Sequence, residues 1–151
     1  MNEARCFSDS LARAVADRLL SREGTGVAWG IEIEDVREGY ARIAMRVRND
    51  MPNGHETAHG GMIFALADTA FAYACNSRNI STVAQQTSIV FLAAAHEGDR
   101  LTAEAEEEAV VGRSGVHVVR VRNQDGKDIA SFHGLSRAVG GAVLPAPDRE
   151  N

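Results

Sequence analysis

The stretch that most limits how this chain folds is residues 62 to 75, MIFALADTAFAYAC, where only Asp68, Thr69 and the hydroxyl of Tyr73 are polar. Its five alanines favour helix, and its apolar residues cover every side of that helix rather than one stripe. Such a helix has no face to offer water, so the rest of the chain must enclose it. It falls short of the roughly 20 apolar residues that span a bilayer, and no membrane role is expected.

The flanking sequence supplies the enclosure. Before it, Leu11, Val15, Leu19 and Leu20 sit at helical spacing behind Ser8 as an N-cap, which predicts a helical extension within residues 1–24. Val27, Trp29, Ile31 and Ile33 then alternate with Ala28, Gly30, Glu32 and Glu34. Ala41, Ile43, Met45 and Val47 alternate with Arg42, Arg46 and Arg48. Two half-buried strands joined near Gly39 follow from that period. Residues 82–93, 101–111, 115–122 and 128–139 predict four more strands, with turns at 96–99, 112–115 and 125–126. Six strands and one enclosed helix imply an α+β fold in which an antiparallel sheet curls around the helix. The 151 residues fit one domain over 1–151, because chains split mainly beyond roughly 250 residues. Residues 140–151, with Pro145 and Pro147, are expected to form a flexible tail.

Charge and cysteine usage narrow the function. Sixteen basic against 21 acidic residues give a net charge of −5, which repels phosphate backbones, so nucleic acid is not expected as a partner. Lys127 is the sole lysine, leaving arginine to hold any phosphate. Cys6 and Cys75 form no Cys-x-x-Cys pair, and charges through the first twenty residues interrupt any secretory leader. A cytoplasmic location is expected.

One motif misleads. His55-Glu56-Thr57-Ala58-His59 matches the zinc-hydrolase pattern H-E-x-x-H, whose two histidines grip a metal only when a helical turn stacks them on one face. Here Pro52-Asn53-Gly54 precedes the motif and Gly60-Gly61 follows at once, leaving too few residues for an independent helix. No metal site is expected from it.

Asp68 is the better clue. A carboxylate in an apolar helix costs several kcal/mol if it is buried without a partner. Either a neighbouring strand hydrogen-bonds it or chemistry uses it. Gly60 and Gly61, at the start of the same helix, would leave unshielded N–H groups at the positive end of the dipole. Donors of that kind polarise a carbonyl and hold the oxyanion formed when it is attacked.

The run Asn53-Gly54-His55 to His59-Gly60-Gly61, followed by Ala67-Asp68-Thr69-Ala70, resembles the signature of the PaaI-like hotdog-fold acyl-CoA thioesterases. The likeness covers roughly residues 25–141 and includes Phe132-x-Gly134 and Gly140-Gly141. It implies the hotdog fold and hydrolysis of an acyl-CoA, phenylacetyl-type or medium-chain, with no cofactor. By that resemblance Asp68 is the catalytic carboxylate, as general base or as nucleophile, and Gly60 the oxyanion donor, helped by Gly61. Asn53 and His59 line the thioester, or His59 only fixes the loop. Thr69 is a structural residue or a minor substrate contact, and Arg113 and Ser114, in a turn, are candidates for the CoA phosphates. Residues between Asn53 and His59 vary in the family, which makes the H-E-x-x-H match accidental.

Two other readings compete. Hotdog dehydratases pair an aspartate with a histidine five positions on, where this chain has Tyr73. A non-catalytic acyl-CoA-binding hotdog protein is the alternative from a different class. Helix geometry adds an expectation about assembly: seven residues separate Gly61 from Asp68, roughly 10 Å along the axis, too far for one carbonyl to touch both. A dimer that faces one chain's donors with the other's Asp68 is expected, and the resemblance extends it to a tetramer.

Overall fold

The computed structural model of the chain describes residues 3–145. Its elements run α1 (Glu3–Arg22), α2 (Gly24–Trp29), β1 (Glu32–Arg37), β2 (Tyr40–Arg46), α3 (Gly60–Asn76), β3 (Thr82–Phe91), β4 (Arg100–Val111), β5 (Ser114–Arg122) and β6 (Asp128–Ala138). The six strands form one antiparallel sheet in the order β1-β2-β4-β5-β6-β3, and the apolar helix α3 lies against it. The sheet covers most of the apolar helix, while Asp68, Ala72 and Cys75 on one strip of it stay partly exposed.

The strands alternate so that one face meets α3. Gly115, His117, Val119 and Val121 of β5 are buried while Val116 and Arg120 are exposed. Ile63, Leu66, Ala67, Ala70, Phe71 and Ala74 of α3 fill the space above them. The closest approach is at Gly134 of β6, where a Cβ would stand 2.7 Å from the Phe71 ring, so only glycine admits that ring. Phe71 also packs edge-on to His117, with ring centroids 5.2 Å apart.

Three expectations need correction. Ser8 is not an N-cap: α1 starts at Glu3, and the Ser8 hydroxyl donates to the Arg5 carbonyl inside the helix. Val27 and Trp29 belong to the short helix α2 rather than to a strand, and Gly30, in the left-handed region at φ 67°, ends it before β1. The tail is tied down as far as it is described. The Asn79 side-chain oxygen accepts from the Val143 and Leu144 amides at 3.0 and 2.8 Å, and the Ser81 amide donates to the Gly141 carbonyl. Residues 146–151 lie outside the described residues. The amino-terminal extension is part of the core, since Ala12, Val15 and Ala16 of α1 are fully buried.

Candidate active site

The loop before α3 is held by Asn53. Its side-chain oxygen accepts from the His55 amide at 2.8 Å and the Thr57 hydroxyl at 3.3 Å, and its own amide donates to the Thr57 carbonyl. Pro52 bridges to Ala58, and Glu56 takes a positive φ of 61°. His55, Glu56 and His59 therefore share no helical turn, and the geometry that H-E-x-x-H chemistry needs is not formed.

His59 is the N-cap of α3: its Nδ1 accepts from the Gly61 amide at 2.9 Å. That bond distinguishes Gly61 from Gly60, the residue expected to be the main donor. The Gly61 N–H is engaged, which corrects the expectation that it would assist as a donor. The Gly60 N–H has no partner among the described residues. A Cβ on Gly60 would meet the Phe91 ring at 3.0 Å, so the bare backbone lets the ring close over it. Gly60, Asn53, Ile63 and Phe91 line an open groove of about 400 Å³.

Asp68 does not line that groove. It lies further along α3 on a strip with Gly61, Ala72 and Cys75 that neither sheet nor α1 fully covers, so the helix is incompletely enclosed by its own chain. Burial alone raises the Asp68 carboxyl above the ordinary carboxylate range, with no hydrogen bond or cation offsetting it. The reading in which a neighbouring strand hydrogen-bonds Asp68 finds no donor among the described residues. Thr69, next to it, is buried.

At the carboxyl end of α3, Arg78 is fully engaged, with Nε on Glu38 at 2.8 Å and the guanidinium fork on Glu107 at 2.6 and 2.9 Å. It is not a spare cation for a phosphate. Arg113, in the β4–β5 turn, donates Nε to the Ala138 carbonyl at 2.9 Å, and Ser114 opens β5. Beneath that turn His117 is buried with neither ring nitrogen hydrogen-bonded, and its Nε2 lies 3.7 Å from Glu107. Burial lowers the His117 pKa and pushes the neighbouring Cys75 thiol up to about 12. Sequence reasoning passed over His117, although the alternation of Gly115, His117, Val119 and Val121 marks it as inward-facing.

Comparison with known proteins agrees with this architecture. Residues 55–130 match the thioesterase superfamily. The acyl-coenzyme A thioesterase PaaI of Escherichia coli is 41% identical over 128 residues, covering 85% of this chain and 91% of that protein. The structure of E. coli PaaI, from the phenylacetic acid degradation operon, superimposes with a TM-score of 0.87 at 40% identity, covering 89% of this chain and 97% of that one. A hypothetical thioesterase from Streptococcus pneumoniae, solved with coenzyme A, superimposes with a TM-score of 0.72 at 28% identity, covering 74% and 88%. The sheet around α3, the family match and the extent of these likenesses together establish that the chain belongs to the thioesterase superfamily, as a PaaI-like hotdog-fold thioester hydrolase.

Proposed function

We propose that the chain hydrolyses an acyl-CoA to free acid and CoA at a site built by two copies, the Gly60 amide of one facing Asp68 of the other. The observation that carries this is the division of labour along α3. Its free amide and its unpartnered carboxylate are eight residues apart, roughly 12 Å, whereas a reacting carbon needs both within about 3 Å. A second copy in antiparallel orientation removes the discrepancy and creates two equal sites.

The chain also carries a surface suited to that copy. β3 is an edge strand with one side unpaired, and Val83, Val90 and Phe91 on it are about half exposed. Pairing two β3 edges would bring the uncovered strips of two α3 helices together. Further doubling to a tetramer is part of the same proposal.

In this reading the thioester oxygen accepts from the Gly60 N–H, which lies at the positive end of the helix dipole and holds the oxyanion. Asp68 takes a proton from water as the water oxygen bonds to the carbonyl carbon. The C–S bond then breaks, and the departing thiolate recovers the proton. The other route has the Asp68 carboxylate attack the carbon directly and expel CoA thiolate as the C–S bond breaks; water then opens the anhydride, freeing the acid and the carboxylate, and its proton goes to the thiolate. Asn53 has its oxygen committed to the loop, lines the groove and would orient the water or the carbonyl. His59 acts by holding the loop and the Gly61 amide. Arg113 and Ser114 would meet the CoA phosphates, and Thr69 would be at most a minor contact. The operon from which the E. coli relative's structure comes favours a phenylacetyl-type acyl group, with medium-chain acyl groups as the second choice. Free Cys6 and Cys75 fit a reducing cytoplasm.

Thiol release from a panel of acyl-CoA thioesters tests the proposal. Turnover of aromatic or medium-chain members is expected. Silence across the panel would leave a non-catalytic acyl-CoA-binding protein.

A further inference from the structure

Past Asp68 the uncovered strip of α3 leads into a second groove, of about 350 Å³, walled by Leu19 and Glu23, Ala72 and Tyr73, and Val83 and Val143. Ala72 follows Asp68 by four residues, so the groove opens one helical turn from the carboxylate and on the same face. Its size suits a small ligand, for which pockets run from roughly 300 Å³ upward.

The walls are fixed from both sides. Asn79, in the left-handed region at φ 58°, pins residues 143 and 144 through its side-chain oxygen. On the opposite side the Tyr73 hydroxyl donates to the Glu23 carboxylate, so the polar groups at that wall are paired with each other. Leu19, Ala72, Val83 and Val143 supply the apolar part of the lining, with Arg22 and Ser81 at its polar rim. The cavity on the other flank of α3, beside His117, is only about 90 Å³ and is lined by the Arg78–Glu107 ion pair, which suits hydrocarbon poorly.

We infer that the groove between α1, α3 and residues 140–145 receives the acyl group of the thioester, and that Leu19, Ala72 and Val143 set the size it accepts. The inference rests on the hydrolase reading above. With the thioester carbon beside Asp68, the acyl group extends along α3 toward its carboxyl end and lies against these walls. Leu19 and Val143 lie outside residues 55–130, the part matched to the superfamily, so the inference places acyl preference partly on flanking segments.

The test measures kcat/KM for a straight-chain series from acetyl-CoA upward, together with phenylacetyl-CoA, in the native chain and three variants. Val143→Trp fills the groove and should lower the octanoyl-to-acetyl ratio by about tenfold or more, the scale on which an apolar pocket discriminates size. Leu19→Ala enlarges it and should shift the optimum to longer chains. Asn79→Gly keeps the positive φ, frees the wall and should flatten the preference. The last two variants carry the test if Val143→Trp fails to fold. Native turnover of several thioesters, with every folded variant keeping the native ratios within about twofold, would overturn the groove assignment and leave the hydrolase reading standing. A native chain that releases no thiol would overturn both.

Discussion

The two ends of α3 are treated in opposite ways. At the carboxyl end three successive side chains are committed: the Asn76 side chain bonds both the amide and the carbonyl of Thr82, the Ser77 hydroxyl accepts from the Gly39 amide at 2.8 Å, and Arg78 joins Glu38 to Glu107. At the amino end one side chain, His59, caps one amide, and the Gly60 amide is left over beside an open groove. An unmade hydrogen bond is a cost that a fold ordinarily removes, and the carboxyl end of this helix shows how thoroughly it does so. The contrast is what the proposed site rests on, in which a thioester oxygen would complete the amino end.

The largest effect that would break this contrast is on catalysis. Asp68→Asn should lower turnover by roughly 10²-fold or more in a folded protein. Gly60→Pro should do the same, because proline is tolerated at the first helical position and removes only the donor, provided that Phe91 yields. Co-expressed heterodimers of the two carry one site with both defects and one with neither, so activity should return to about half the native level. Verified heterodimers as inactive as their parents would sink the shared site.

Next comes the clamp. Arg78→Ala strips Glu107 and Glu38 of their cation and should cost about 1–2 kcal/mol in urea unfolding. Because Arg78 serves the fold, kcat in the surviving folded protein should stay within about twofold. A collapse of kcat at full stability would move Arg78 into the chemistry.

Asp68 sharpens the comparison through pH. Its carboxyl is raised by burial, and either proposed role needs it ionised, so the acid limb of kcat/KM should fall above the ordinary carboxylate value of about 3.9. The same shift means that ionised Asp68 opposes folding. Its stabilising protonated form is fully present below the unfolded pKa and is lost as pH rises through the folded one. Asp68→Asn should therefore raise Tm by a few degrees at neutral pH, a gain that vanishes below roughly pH 4. An unchanged Tm at both pH values would mean that the carboxylate is adequately solvated. The smallest effect is expected from chelation: EDTA should leave turnover unaltered, and a loss restored by zinc would return His55, Glu56 and His59 to consideration.

The central helix and its packing on a sheet were legible because residues 62 to 75 are apolar nearly all round, whereas the strip through Asp68, Ala72 and Cys75 that its own chain leaves partly exposed was not. The failure of H-E-x-x-H was legible for a similar reason, with Pro52 and the two glycines bracketing it. Helix α2 was not. Four alternating apolar residues fit a strand, and the period outweighed the local sign to the contrary, Gly30 placed as the left-handed cap of a six-residue helix. The asymmetry between Gly60 and Gly61 depends on where the His59 ring points, which spacing does not encode. The pinned tail depends on Asn79, 64 residues from Val143, and such a distant pairing leaves no local mark.

The fit of Phe71 against Gly134 has a consequence for how this chain can change over evolutionary time. The two positions share one volume, with the ring on α3 occupying the space a side chain on β6 would need. Neither can drift alone: a methyl at position 134 must wait for a smaller residue at 71, and a smaller residue at 71 opens a void until 134 grows. Among descendants of this sequence the pair should vary together or stay fixed together. A phenylalanine opposite an alanine would then mark a lineage whose helix has moved away from its sheet.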